Sequence, residues 1–255
     1  MAISNVATAV MVTLYERSIC LAVKISRSNY AALILLIQKE RGFMAKSAPM
    51  SKTPPSLTAQ SPLGGYEMIT DGASLIEVTG LSMVSVAPLA GSQATFQTAV
   101  AKLFKTGKND SPKPSATMAL DRSGKQRCIL MPSAQNQWFL CFDHNGTNPI
   151  DAAKALLGKR LSKQMAMTDQ SDSWVILALS GPESRQTLAR ICPIDCSASV
   201  MPIGTTARTS MEHLGAIITR RPDEGYHQPL FWLLSARSSA ASFLHAIIGS
   251  PPFCD

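Results

Sequence analysis

One order of elements (strand, helix, three strands, helix) occurs twice along this chain and restricts the fold more than any single motif. In the first copy Ser74–Val78 and Leu81–Ala87 read as strands joined through Gly80. Ser92 suits a helix N-cap, and Phe96, Val100, Leu103 and Phe104 recur on one helical face. After a polar loop over Gly107–Pro114 come three β-like runs, Ala116–Leu120, Arg127–Met131 and Gln137–Phe142, with Ser123–Gly124 as the turn between the first two. A helix over Pro149–Leu157 has proline in its first turn and Gly158 at its end, and Leu161–Met167 can be a closing strand. The second copy begins with the continuously apolar Trp174–Leu179, the pattern of a central strand. Gly181–Pro182 opens a helix through Ile191, with Leu188 and Ile191 facing inward. Strands follow at Thr206–Ser210, Leu214–Thr219 and Leu230–Leu234, the last preceded by a hairpin loop at Pro222–Gly225. A final helix over Ser238–Ile248 buries Phe243, Leu244, Ile247 and Ile248. The copies share topology and almost no residues. They predict an α+β fold of two ferredoxin-like βαβββα halves, residues 73–168 and 169–255, packed into one body. Trp138, Trp174 and Trp232 are expected to anchor its core.

The leading residues have a different character. Within residues 1–43 the apolar stretches Val6–Tyr15 and Tyr30–Ile37 are interrupted by Glu16, Arg17, Lys24, Arg27 and Lys39–Arg41. Neither approaches the ~18 uninterrupted apolar residues of a membrane helix, and a first charge at Glu16 does not suit an export signal. This segment is expected to be a spurious or disordered extension, with Met44 as the functional start; an amphipathic anchor or partner-binding helix is the rival reading. Residues 44–72 carry Ser47, Pro49, Pro54, Pro55, Ser61 and Pro62 and read as an extended arm, because such a stretch buries too little apolar surface to offset its ordering entropy.

Charge and cysteine usage narrow the partners. The formal net charge is +7, yet five Lys/Arg against two Asp/Glu lie in the first 43 residues. The densest basic stretch beyond them is Lys102, Lys105 and Lys108, and the Phe104 among them belongs to the apolar helix face. Nucleic-acid binding needs a basic stripe contacting adjacent phosphates, so neither nucleic acid nor membrane is an expected partner. The six cysteines (Cys20, Cys128, Cys141, Cys192, Cys196 and Cys254) are too scattered over 255 residues for a disulfide framework. Cys128 and Cys141 lie inside apolar runs as small hydrophobes. A reducing cytoplasm suits this usage.

Local chemistry is sparse. Cys192 and Cys196, taken with Cys141 and His144, reach the ligand count of a Cys₃His zinc site, but their spacing fits none of the usual zinc patterns. Ser180-Gly181-Pro182 lacks the Gly-x-Ser-x-Gly elbow of a strained nucleophile. No Gly-x-Gly-x-x-Gly or Walker loop is present in the sequence. His144, His213, His227 and His245 fall in separate segments, and Asp195 reads as a solvated loop carboxylate. On these residues the chain is expected to have no catalytic, cofactor-binding or metal-binding site of its own.

Several runs carry a family resemblance. Ser61-Pro-Leu-Gly-Gly and Leu75-Ile-Glu-Val-Thr-Gly-Leu-Ser-Met-Val-Ser-Val86 are followed by Trp174-Val-Ile-Leu-Ala-Leu-Ser-Gly-Pro-Glu-Ser-Arg185 and Leu188. Cys192-Pro-Ile-Asp195 and Pro202-Ile-Gly-Thr-Thr-Ala-Arg-Thr209 come next in order, through to Leu214. Over residues 61–249 the chain resembles the gamma subunits of heterotetrameric sarcosine oxidases. Ser180, Gly181, Pro182, Arg185, Cys192, Pro193, Asp195, Pro202 and Gly204 are the signature positions. The resemblance implies a fold like the folate-binding domain of the glycine-cleavage T protein. It implies a non-catalytic subunit of an oxidoreductase that demethylates sarcosine to glycine, releasing hydrogen peroxide and passing a one-carbon unit to tetrahydrofolate. FAD, FMN, NAD, tetrahydrofolate and zinc would then sit on other subunits. The implied partners are the alpha, beta and delta subunits, alpha most directly, and Leu81, Met83, Val84 and Thr206 are the candidate contact residues. The loop Lys105–Ser115 and the basic Thr219–Arg221 segment fall outside the resemblance. The competing expectations are a stand-alone folate-binding aminomethyltransferase, for which no pterin-holding carboxylate stands out, and a folate-binding repair or assembly protein.

Overall fold

The computed structural model describes residues 8–12, 21–25, 60–104, 119–122, 127–222 and 228–254. The chain divides into two units, Met1–Thr58 and Ala59–Asp255. In the first, β1 (Thr8–Val12) pairs antiparallel with β2 (Leu21–Ile25), Val10 opposite Val23. The segment expected to be disordered thus contains a two-stranded ladder; the Tyr30–Ile37 run and the start at Met44 lie outside the described residues.

The second unit begins with β3 (Glu67–Ile69), β4 (Ser74–Glu77) and β5 (Leu81–Pro88), followed by helix α1 (Gln93–Leu103). Next come β6 (Leu120–Arg122), β7 (Cys128–Ala134), β8 (Gln137–Asp143), α2 (Pro149–Leu157), the short α3 (Lys159–Ser162) and β9 (Met165–Asp169). The remainder is β10 (Trp174–Ser180), α4 (Ser184–Ile191), β11 (Thr206–Met211), β12 (Leu214–Arg221), β13 (Leu230–Ala236) and α5 (Ala240–Ile248). Asn148 caps α2 by accepting from the backbone N–H groups of Ile150 and Asp151, with Pro149 in the first turn as its sequence predicts. The Ser123–Gly124 turn and residues 105–118 lie outside the described residues.

Two antiparallel sheets result, one in the order β6-β7-β8-β5-β9 and the other β11-β12-β13-β10-β4-β3. β8 and β9 are both antiparallel to β5, which lies between them, so they run parallel and α2 makes the crossover. Each sheet buries both faces. Its outer face packs on helices: α1, α2 and α3 cover the five-stranded sheet around Phe96, Val100, Leu140 and Phe142, whereas α4 and α5 cover the six-stranded sheet around Leu177, Leu188, Phe243 and Ile247. Its inner face meets the other sheet, where Met131, Phe139 and Cys141 pack with Ile217, Trp232 and Leu234. β10 shows why its sequence is apolar throughout: Val175, Leu177 and Leu179 face the helices and Ile176 the opposing sheet.

Two expectations are corrected here. The sequence pattern puts Ser74–Val78 in the first half, but β4 pairs with β10 of the second, Leu75 opposite Leu179, and Leu75 is fully buried in that half's helix-side core. The first sheet therefore starts at β5, after a crossover at Val78–Gly80. The arm expected over residues 44–72 is docked in its described part, residues 60–72: β3 extends the six-stranded sheet and Leu63, Tyr66 and Met68 pack against its core. Among the described residues no helix is long and apolar enough to cross a membrane.

Candidate functional site

Among the positions that carry the resemblance, Ser180, Gly181, Arg185 and Gly204 make contacts within the fold. Ser180 closes β10 with its hydroxyl 2.7 Å from that of Ser74. Gly181 follows with φ of +118°, and a Cβ there would lie 2.7 Å from Ala73 Cα and Gly72 O. Glycine is required because β10 must end hard against the turn that starts β4. Glu183 continues the contact, its N–H donating to Gly72 O at 3.0 Å. The helix consequently starts at Ser184, later than Gly181–Pro182 predicts. Arg185 projects from α4, donates from Nη1 to the Cys196 carbonyl, and lies 5.2 Å from the Phe231 ring centre. Gly204 donates its N–H to Arg220 O at 2.8 Å and accepts from Ala119 N–H at 2.6 Å, so this loop ties β12 to the residue preceding β6. Pro182, Pro193, Asp195 and Pro202 are exposed, and Asp195 accepts from Ser197 N–H at 2.8 Å.

Three of the four contact candidates are corrected. Met83 and Val84 are buried because β5 is flanked by β8 and β9 with both faces covered. Thr206 is buried with its hydroxyl 3.0 Å from that of Thr219. Leu81 alone is part-exposed. The apolar side chains most open to solvent among the described residues lie elsewhere, at Ile69, Leu89, Val200 and Ile203.

The zinc constellation does not assemble. Cys141 lies between the two sheets, while Cys192 and Cys196 belong to the helix-side core of the six-stranded sheet. His144 instead bonds Ser82, Nδ1 to Oγ at 2.8 Å. Ser82 is 1% exposed, so this pair braces β5 against the end of β8 and presents no nucleophile.

A cleft of about 440 Å³ opens where the chain passes from one sheet to the other, at Val78–Gly80 and at Gln170–Ser173. Its charged and aromatic lining is Glu77, His144, Asp169, Asp172, Trp174 and Arg237. Glu77 is buried, and its carboxylate accepts from the Ser61 hydroxyl and from the N–H groups of Leu63 at 3.2 Å, Gly65 at 2.7 Å and Tyr66 at 3.2 Å. One charged group thereby folds the whole 61–66 turn over the cleft, each such bond being stronger than a neutral one. Arg237 holds Gln60 O and lies 3.8 Å from Asp172. Asp169 accepts from Ser171 Oγ at 2.7 Å, and Ser171 in turn receives Met83 N–H at 3.1 Å. The Trp174 indole N–H is buried without a partner, its ring edge-on to Phe139 at 5.3 Å. This lining is suited to holding a polar group by charge and hydrogen bond. Its acids and bases are engaged in bracing the two crossovers, which makes the cleft a seam between the halves before anything else.

No contiguous sequence motif marks the cleft. Its members come from five separate junctions, and the one local signal was the Asp169-Gln-Ser-Asp172 turn between two strands.

The sequence matches no protein-family model and no curated protein. Among solved structures, the fold is similar to a chain of the heterotetrameric sarcosine oxidase from Corynebacterium sp. U-96 in complex with pyrrole 2-carboxylate. The TM-score is 0.55 at 18% identity, over 72% of this chain and 86% of that one. It also resembles the glycine cleavage system aminomethyltransferase T from Bartonella henselae, with a TM-score of 0.49 at 16% identity, over 70% of this chain and 46% of that one.

Proposed function

We propose that this chain is the gamma subunit of a heterotetrameric sarcosine oxidase, a structural subunit of an oxidoreductase with no reaction of its own. The observation that carries the reading is the breadth of the fold likeness: 86% of one chain of such an oxidase is spanned with a TM-score of 0.55. The contacts of three signature residues support it: Gly181 lets two backbone segments meet, the Arg185 side chain grips the Cys196 carbonyl, and Gly204 bonds the backbone of Arg220 and Ala119. Each half is then a ferredoxin-like unit, with one added edge strand (β6) in the first sheet and two (β11 and β3) in the second, packed as in the folate-binding T-protein domain. The second half borrows its fourth strand, β4, from the N-terminal side.

In this role the protein works in the cytoplasm beside alpha, beta and delta subunits. FAD, FMN, NAD, tetrahydrofolate and zinc are assigned to those partners. Contact with alpha moves from the buried Met83, Val84 and Thr206 to Val200 and Ile203, which are 55% and 51% exposed on the loop leading to β11. Burying such side chains at an interface is favourable by about 25 cal/mol per Å². A stand-alone folate-binding aminomethyltransferase is the second reading, favoured by Asp169 and Asp172 at the rim of the cleft.

Co-expression of the tagged chain with the genes that neighbour its own tests the proposal. A yellow, sarcosine-oxidising complex that contains the chain, lost on Val200→Glu/Ile203→Glu, is the expected result. A chain that purifies alone, recruits no flavoprotein and binds tetrahydrofolate would replace it with the second reading.

A further inference from the structure

The helix-covered face of the five-stranded sheet carries charge of one sign. No Asp or Glu occurs from Val78 to Asn109 or from Ala152 to Thr168, the segments that supply α1, α3 and most of α2. Their apolar positions turn inward as Phe96, Val100, Ala153, Leu157 and Leu161. Lys102, Lys154, Lys159, Arg160 and Lys163 are left exposed. Lys154 is paired with Asp151 at 3.1 Å, whereas among the described residues the other four make no ion pair. Gly158, with φ of +82°, ends α2 and lets the chain enter α3 at once, which brings Lys159 and Arg160 beside α1. A groove of about 610 Å³ lies between α1 and α3, lined by part-buried Ala99, buried Leu157 and Leu161, and the cations Lys102, Lys159 and Arg160. Lys102 has a local reason, since a cation in the last turn of α1 suits the helix dipole. Lys159 and Arg160 open a helix, where positive charge gains nothing, and sharing a groove with Lys102 costs repulsion. Folding does not account for three cations here; a ligand of opposite charge does.

We propose that this groove is a docking site for an acidic segment of a partner protein, whose Asp and Glu carboxylates meet Lys102, Lys159 and Arg160. Arg160 can hold a carboxylate with two parallel N–H donors, and the two lysines add point charges from α1 and α3. Leu157 and Leu161 give the methylene stems of bound Glu side chains an apolar surface. A nucleic acid has the same sign of charge, but unpaired bases need an aromatic platform. The aromatic residues of α1 and its C-cap, Phe96 and Phe104, are 1% and 2% exposed, with their rings in the core, and neither α2 nor α3 contains an aromatic residue. The cations also surround one groove rather than running as a stripe along successive phosphates, which suits a short peptide better than a nucleic-acid backbone. Val200 and Ile203 lie on the loop before β11, so this is a second contact, and it does not depend on the subunit role proposed above.

Fluorescence anisotropy of a labelled octaglutamate peptide with the full chain tests the site. The peptide should bind, and Lys159→Glu or Arg160→Glu should each weaken it about fivefold, the scale of one exposed charge pair. Arg190→Glu makes the same change of charge on exposed α4 and should leave the affinity within about twofold. Carbodiimide coupling of the bound peptide to the wild-type chain should map to Lys102 and Lys159 by mass spectrometry. No binding at about 1 mM peptide overturns the proposal, as does equal weakening by Arg190→Glu or coupling spread evenly over lysines outside the groove. A single-stranded RNA of equal charge that binds more tightly than the peptide, and is lost in the same variants, replaces the acidic protein segment with a nucleic acid. The coupling map uses the wild-type chain and decides the matter even if a variant fails to fold.

Discussion

Gly181 shows what a single position carries. Its φ of +118° disfavours any side chain, and the Ala73 Cα and Gly72 O atoms leave no room for a Cβ. Gly181→Ala should cost about 3 kcal/mol, combining backbone strain with a backbone clash, and urea denaturation will measure it. A loss within about 0.5 kcal/mol, the range of an ordinary surface change, would mean that the β4–β10 junction relaxes freely. The thiols give a prediction at the same scale. With Cys192 lowered to about 6 by its bond from Cys196 and Cys141 raised to about 12 by burial, their alkylation rates should separate as pH increases. Iodoacetamide labelling of Cys192 should climb between about pH 5 and pH 7 as the thiolate forms, while Cys141 stays unlabelled. Equal labelling of the two would show that Cys192 ionises no earlier than Cys141. The sequence displayed the glycine and both cysteines but not their constraints, because those arise from Gly72–Ala73 and Thr209, far away along the chain.

Elements were legible wherever one face alone set the pattern. α2 runs over Pro149–Leu157 as its proline and glycine predict, and α1 follows the Phe96, Val100 and Phe104 face. Pairing was not legible. β4 and β5 are separated by only three residues and belong to different sheets, since a strand's own residues do not encode its partner. The cleft was hidden for the same reason: His144, Asp169 and Arg237 end three unrelated elements and meet only once the sheets are stacked. β4 supplies a test. A chain starting at Thr79 leaves the Leu177–Ser180 side of β10 without its partner strand, an open apolar edge that invites pairing with another copy. Size-exclusion chromatography should show it self-associating, with a lowered melting temperature. A monomer that melts like the full chain would make β4 dispensable.

At the scale of the whole second unit, the halves share structure in two ways. Met131 and Phe139 of one sheet interlock with Ile217 and Trp232 of the other, and Arg221 of β12 pairs with Asp121 of β6 at 2.7 Å. Neither half presents a finished surface to water, so the unit should unfold in one step. Urea curves followed by tryptophan emission and by far-UV circular dichroism should coincide; two separated midpoints would show autonomous halves. The borrowed strand also sets a timetable for biosynthesis. Ser74 and its partner Ser180 are 106 residues apart, so at ~5–20 residues per second β4 waits on the ribosome for about 5–20 s before β10 has been made. During that interval the first half can close its own sheet, whereas Leu75 has nothing to bury against. β4 is thus made early and placed late, and nascent chains stalled before β10 are the species that a chaperone would have to shield.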